Sequence, residues 1–184
     1  LTVGRGGPKS PEIVKIDSEK DYLFLLEEAK KGKHAASDHY ENAILSGVTS
    51  IGCRRCGGGF TGKTFFDNVE VGVKMVNKNL FDVAIIDGSG TSFPAISTDR
   101  KVLVVGAFQN LEDITEYFGV YRVLISDVTV ITMCEEPSED EEKIEKIVDG
   151  IKEIKENMKI VQTVFRPLPT ENIKNKDVFF LCTA

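Results

Sequence analysis

The sequence has few cysteines, only two histidines and no long apolar run. Its four cysteines, Cys53, Cys56, Cys134 and Cys182, are too few and too scattered for a disulfide framework, and the rest of the chain reads as cytoplasmic. His34 and His39 stand five residues apart, on different faces of a helix, and no second C-x-x-C accompanies Cys53-x-x-Cys56. A structural zinc site needs about four ligands. The expected use of the thiols is therefore packing under a loop rather than zinc or redox chemistry. Nothing approaches the roughly 20 apolar residues that span a membrane, and no secretory signal is visible. A basic excess is also lacking. The 23 Lys and Arg stand against 29 Asp and Glu, a net charge of −6, so nucleic acid is not the expected partner.

What is present is an ordinary globular composition, with 41% hydrophobic and 28% charged residues over 184 positions. That length suits a single domain spanning 1–184. The chain opens on Leu1 rather than Met, and its first residues read as a strand tail, so a fragment of a longer protein is expected. The charge is unevenly spread. Acidic residues crowd Glu135–Glu156, whereas Arg5, Arg54, Arg55, Lys63 and Arg100 sit in or beside Gly-rich or loop-like stretches. An acidic solvated helix with basic loops suits a binder of small anions.

Short apolar runs alternate with amphipathic stretches. Residues 81–86, 102–105, 128–132, 160–165 and 178–181 lack polar alternation, the pattern of strands buried on both faces of a parallel sheet. Helices are expected over 18–31, 34–45, 68–78 and 138–157. In the last, Ser138 and Glu141 form a capping box, and Ile144, Ile147, Val148, Ile151 and Ile154 form one apolar stripe. The alternation predicts a three-layer α/β fold with a mainly parallel sheet flanked by helices.

Ligands of such sheets bind beyond the carboxyl ends of the strands. After Val3 comes Gly4-Arg5-Gly6-Gly7-Pro8, where glycines permit close backbone approach and Arg5 offers bidentate bonds to phosphate. After Ile51 comes Gly52-Cys53-Arg54-Arg55-Cys56-Gly57-Gly58-Gly59. Adjacent arginines beside three glycines repel each other unless an anion lies between them, which marks an anion site. Gly57–Thr64 also has the spacing G-x-x-x-x-G-K-T of a Walker A loop. Such a loop leaves its strand directly and places Lys and Thr in the first helical turn, whereas here the helix signal begins near Asp67. Lys63 is better read as a simple phosphate contact. Asp87-Gly88-Ser89-Gly90 closes the most hydrophobic run, where an acid can hold Mg2+ and glycines leave room for a phosphate. His34-Ala35-Ala36-Ser37-Asp38 opens a helix with small and polar side chains that can face a ligand. The loops carrying Thr132, Glu135 and Pro167 follow the two late strands, where nucleotide bases are often cradled.

Taken together, these runs resemble archaeal cyclic 2,3-diphosphoglycerate synthetase, nearly from end to end, and the Cys-Arg-Arg-Cys-Gly-Gly-Gly string is the most specific of them. The resemblance implies a P-loop NTPase fold, related to dethiobiotin synthetase, with the ATP-binding P-loop just upstream of Leu1. It implies ATP, Mg2+ and 2,3-diphosphoglycerate as ligands. Arg54, Arg55 and Asp87 would be catalytic. Arg5, Gly6, Gly7, His34, Asp38, Gly57, Gly58, Gly59 and Lys63 would bind the acid. Gly88, Ser89, Gly90, Thr132, Glu135 and Pro167 would bind the nucleotide, and Asp87 with Asp38 would hold the metal. The family pattern usually has Glu where this chain has Asp87, and Lys63 falls where a Lys is not typical. A kinase acting on 2-phosphoglycerate and a non-catalytic anion- or nucleotide-binding module stay open, as does assembly into a homo-oligomer.

Overall fold

Hydrophobic patterning cuts the chain into short elements. A computed structural model describes residues 1–14, 22–31, 39–57, 63–78, 81–88, 96–135, 141–166, 169 and 172–177. These residues divide into two compact units, 1–97 and 98–184.

In the first unit the elements run β1 (Thr2–Gly4), β2 (Glu12–Val14), α1 (Tyr22–Lys30), α2 (His39–Ser46), β3 (Ser50–Cys56), β4 (Phe66–Asp67) and α3 (Val69–Lys78). The sheet is centred on β3. β1 runs parallel to it, with Thr2 opposite Gly52 and Gly4 opposite Arg54. β2 and β4 pair with it antiparallel. Side chains alternate across a strand, and both faces of β3 are covered. Gly52 lies against the His39 ring of α2, while Cys53 and Ile51 lie against Gly72 of α3. Helix, sheet and helix thus form the expected three layers in this unit. Ile51, Cys53 and Val69 are its buried nucleus, with Leu1, Val3, Ile13 and Val73 packed around them.

The second unit runs β5 (Val102–Gly106), α4 (Leu111–Thr115), α5 (Phe118–Ile125), β6 (Val128–Thr132), α6 (Glu141–Ile154) and β7 (Lys159–Gln162). The strands pair in the order β5-β6-β7, all parallel. Val105 and Ile131 meet Ile114 of α4, Val123 of α5 and Ile144, Ile147 and Ile151 of α6 in one core. The isoleucine stripe of α6 therefore packs where its periodicity predicts, and the acidic face turns outward. The opposite face of the sheet carries Val102 and Val104, both exposed. No helix of the described residues is long and apolar enough to cross a membrane.

Two expectations change, for 81–86 and for 102–105, neither of which is covered on both faces. The run 81–86 is not a regular strand. It lies alongside β1 through a single bridge, Thr2 to Asp87, with Val3 N–H donating to Asp87 O (2.9 Å) and Asp87 N–H to Leu1 O (2.9 Å). One neighbour satisfies only one edge, and Val83 and Ile85 are 79% and 75% exposed rather than buried. Helices also form over 111–125, where none was expected, although Asn110 with Glu112 and Asp113 is a start signal for the first of them. α4 has Asn110 at its N-cap without a side-chain cap bond, and α5 begins after Tyr117 at φ 46°. The predicted strand 178–181, Ser138 of the capping box and the first turn of the 18–31 helix lie outside the described residues. Ile151 is fully buried, so Ile151→Ala is expected to lower the unfolding free energy by about 2–5 kcal/mol, measurable by urea denaturation.

Candidate functional site

The parallel register of β1 on β3 brings two of the sequence motifs together. Gly4 stands opposite Arg54, so the Gly-rich turn after β1 leaves the sheet beside the arginine-bearing end of β3. Gly7 is buried, and a Cβ there would collide with the Cys53 carbonyl and crowd Arg54 Cα at 3.2 Å. Glycine at this position lets one backbone lie directly on another. Arg5 and Gly6 are exposed beyond it.

Arg54 and Arg55 are adjacent, yet strand alternation sends them to opposite faces. Arg54 shares the α2 face with Gly52 and Cys56. Its Nε donates to Cys56 Sγ (3.1 Å), and its guanidinium sits 5.2 Å from the centre of the Phe66 ring. Arg55 turns to the other face, where its Nε meets Asp67 Oδ2 at 3.1 Å. Asp67 Oδ1 accepts from Val69 N–H (3.0 Å), holding the first turn of α3. Alternation and separate partners thus relieve the repulsion that the sequence suggested an anion would relieve.

Asp87 lies on the other side of β1. Asn42 of α2 donates through Nδ2 to the buried Thr2 hydroxyl (2.8 Å) and approaches Asp87 Oδ2 at 3.4 Å. Gly88 follows at φ 117°, and a Cβ there would strike the Val3 carbonyl. The shape therefore requires glycine for the backbone as well as for any ligand. The Asp87 carboxylate is exposed. Among the described residues no group of three His, Cys, Asp or Glu forms a metal cage. A single open carboxylate suits Mg2+, which keeps several waters and takes its other ligands from substrate phosphates.

The Walker A spacing at Gly57–Thr64 does not stand directly between a strand and a helix. Phe65 N–H donates back to Cys56 O (3.1 Å), and Phe66 and Asp67 pair antiparallel with Cys56 and Arg55. Lys63 and Thr64 therefore lie on the return arm of a hairpin, with β4 between them and α3. Lys63 is exposed. Gly57, at φ 78°, turns the chain out of β3.

Cys53 and Cys56 are three apart on an extended strand and so face opposite sides. Their Cα atoms are about 10 Å apart at 3.3 Å per residue, beyond the roughly 7 Å that a disulfide spans. Burial raises the Cys53 thiol to about 11. Cys56 packs beneath the Arg5 turn as expected, whereas Cys53 packs in the core against Gly72 of α3.

In the second unit Thr132 ends β6 and donates to Val105 O (3.2 Å). Met133 follows at φ 59°, and Glu135 is ion-paired with Arg166, beyond β7. That pairing joins the two loops at the carboxyl ends of β6 and β7. His34, Asp38, Gly58, Gly59, Ser89, Gly90 and Pro167 lie outside the described residues.

Asn42, Asp67 and Asn68 were not singled out from the sequence. Asp67 and Asn68 carry a helix-start signal; Asn42 carries none, because its partners are 40 and 45 residues away.

The family model for the P-loop domain of cyclic 2,3-diphosphoglycerate synthetase matches residues 1–164. The chain belongs to that family. Proteins named cyclic 2,3-diphosphoglycerate synthetase from Methanothermus fervidus and Thermococcus sibiricus are each 46% identical to it over 187 aligned positions, covering all of this chain and 40% and 42% of those proteins. The protein of that name from Rubrobacter xylanophilus is 41% identical and covered over 42% of its length. The chain thus spans about two fifths of the curated relatives it matches. Membership carries the α/β P-loop fold class and implies nucleotide use.

The raised Cys53 thiol has a sign that can be tested. The native state holds this proton more tightly than the unfolded chain, whose thiol titrates near 9. The contribution is complete below that pH and is lost as pH rises toward 11. Urea midpoints measured from pH 8 to 11 are expected to fall less steeply in Cys53→Ala than in the parent protein.

Proposed function

We propose that the complete protein makes cyclic 2,3-diphosphoglycerate from 2,3-diphosphoglycerate and ATP in the presence of Mg2+. The observation that supports this most is the register that sets the turn carrying Arg5 beside Arg54 of the paired strand, with the exposed Asp87 on the neighbouring segment. The family model spans most of both units, which supports reading them as one phosphate- and nucleotide-binding domain.

The acid carries two phosphates, and its activation brings a third highly charged group close to them. Cations, more than a base, are therefore what the site must supply. Arg5 and the backbone of Gly6 and Gly7 hold the acid. Arg54 neutralises charge on the transferring group, and Arg55, steadied by Asp67, adds positive potential at the strand end. Lys63 and Gly57 contribute from the hairpin. His34, Asp38, Gly58 and Gly59 complete the acid site. Asp87 holds Mg2+ with Asp38, and Gly88, Ser89 and Gly90 give its phosphates room. Thr132, Glu135 and Pro167 cradle the base.

ATP supplies a phosphoryl group to one phosphate of the acid, releasing ADP. An oxygen of the acid's other phosphate then attacks the activated phosphorus. The phosphoanhydride ring closes, and the bond to the transferred group breaks to release inorganic phosphate. The reaction consumes ATP and belongs in the cytoplasm.

Arg54→Ala in the complete protein is expected to lower turnover on the order of a hundredfold or more, the effect of losing one preorganised charge at a transition state. Phosphorus NMR of the product is expected to show a cyclic anhydride. An open diphosphate formed from 2-phosphoglycerate would show kinase activity instead, and normal turnover by Arg54→Ala would remove Arg54 from the mechanism.

A further inference from the structure

The Arg5 loop is fastened to β3 by two side chains with no assigned role. Asn68 is buried between β4 and α3, and its amide is fully engaged. Its Oδ1 accepts from Arg54 N–H (2.7 Å). Its Nδ2 donates to Pro8 O (3.0 Å) and Lys9 O (3.2 Å). None of these bonds caps α3, whose first turn uses Asp67 instead. At the other end of the loop, Cys56 Sγ donates to Arg5 O (2.9 Å) while accepting from Arg54 Nε (3.1 Å). Both fasteners therefore contact Arg54 and the Arg5 loop at once, and buried Gly7 rests on the β3 backbone.

We propose that Asn68 and Cys56 are positioning residues that hold the Arg5 loop in register with Arg54, so that both guanidiniums meet one phosphorylated acid. This rests on the proposed acid-binding role of Arg5 and Arg54. A bidentate guanidinium site depends on fixed spacing. A loop with several glycines does not keep that spacing unaided, because glycine backbone is the most costly to order. Asn68 supplies donors to the Pro8 and Lys9 carbonyls from its own buried position. Cys56 passes a hydrogen bond from Arg54 to the Arg5 carbonyl through one sulfur.

The experiment has two arms, both in the complete protein. Hydrogen exchange reads the fastening without reference to substrate. Asn68→Ala is expected to speed exchange of the amides over residues 5–9 while the β3 amides at 51–53 stay as slow as in the parent. Uniform acceleration of both segments would mean a general structural role and would overturn the proposal. Kinetics read the consequence. Asn68→Ala and Cys56→Ala are each expected to raise the KM for 2,3-diphosphoglycerate by about tenfold and to leave the KM for ATP within about twofold. Cys56→Ser, which keeps a donor for the Arg5 carbonyl, is expected to restore most of the loss. If Arg5→Ala and Arg54→Ala raise the acid KM while neither Asn68→Ala nor Cys56→Ala does, the positioning role is wrong and the acid site stands. If the two arginine variants leave the acid KM unchanged, the acid site itself is wrong, and the positioning role toward it falls too, even where the exchange result holds.

Discussion

The pairing of β1 with β3 is the constraint on which the first unit depends. It is a parallel pairing of only three residues. It holds because the two strands share a buried face, where Leu1 and Val3 pack against Ile51, Cys53 and Val69. Once that register is set, the chain after Gly4 must leave the sheet beside Arg54. The same strand also bridges Asp87 through Thr2. Arg5, Arg54 and Asp87 are therefore placed by one short strand and its neighbours. Slipping β1 by one residue would turn Leu1 and Val3 toward α2 and move Arg5 away from Arg54.

The arginine pair shows how a strand gives two identical neighbours different work. Alternation places Arg54 with Cys56 and Phe66, and Arg55 with Asp67. Arg54 is held by a thiol and an aromatic face, neither of which neutralises its charge. Arg55 is ion-paired with a carboxylate that also orders the start of α3. The glycines around them have different tasks as well: Gly7 permits backbone contact, and Gly88 adopts a backbone angle hard for other residues.

Periodicity served well where an element buries a side of itself against its own unit. The stripe of α6 was legible because it repeats its apolar residues at the helical spacing, and the runs of β5 and β6 because each is a short continuous apolar stretch. Periodicity failed for 81–86, where apolar content implied two covered faces and the structure pairs only one edge. It also passed over α4 and α5, which lack a capping side-chain bond at their starts. The Walker A spacing is a similar case. The residues between Gly57 and Thr64 satisfy a pattern, but the pattern acts as a phosphate loop only between a strand and a helix. Here the flanking backbone closes a hairpin.

The sequence by itself determined the α/β class, the family and the residue types gathered for phosphate chemistry. Each of these is written in local order: apolar runs, Gly-rich turns and the Cys-Arg-Arg-Cys string. Only the tertiary structure decided that Cys53 and Cys56 face apart, that Arg55 is already paired, that Asn42 bonds Thr2, and that Asn68 ties Pro8 and Lys9 to Arg54. Those facts depend on which strand lies beside which and on the face each side chain takes. The partners of Asn68 lie up to 60 residues away along the chain, and local patterning cannot encode a contact that exists only after the sheet has formed.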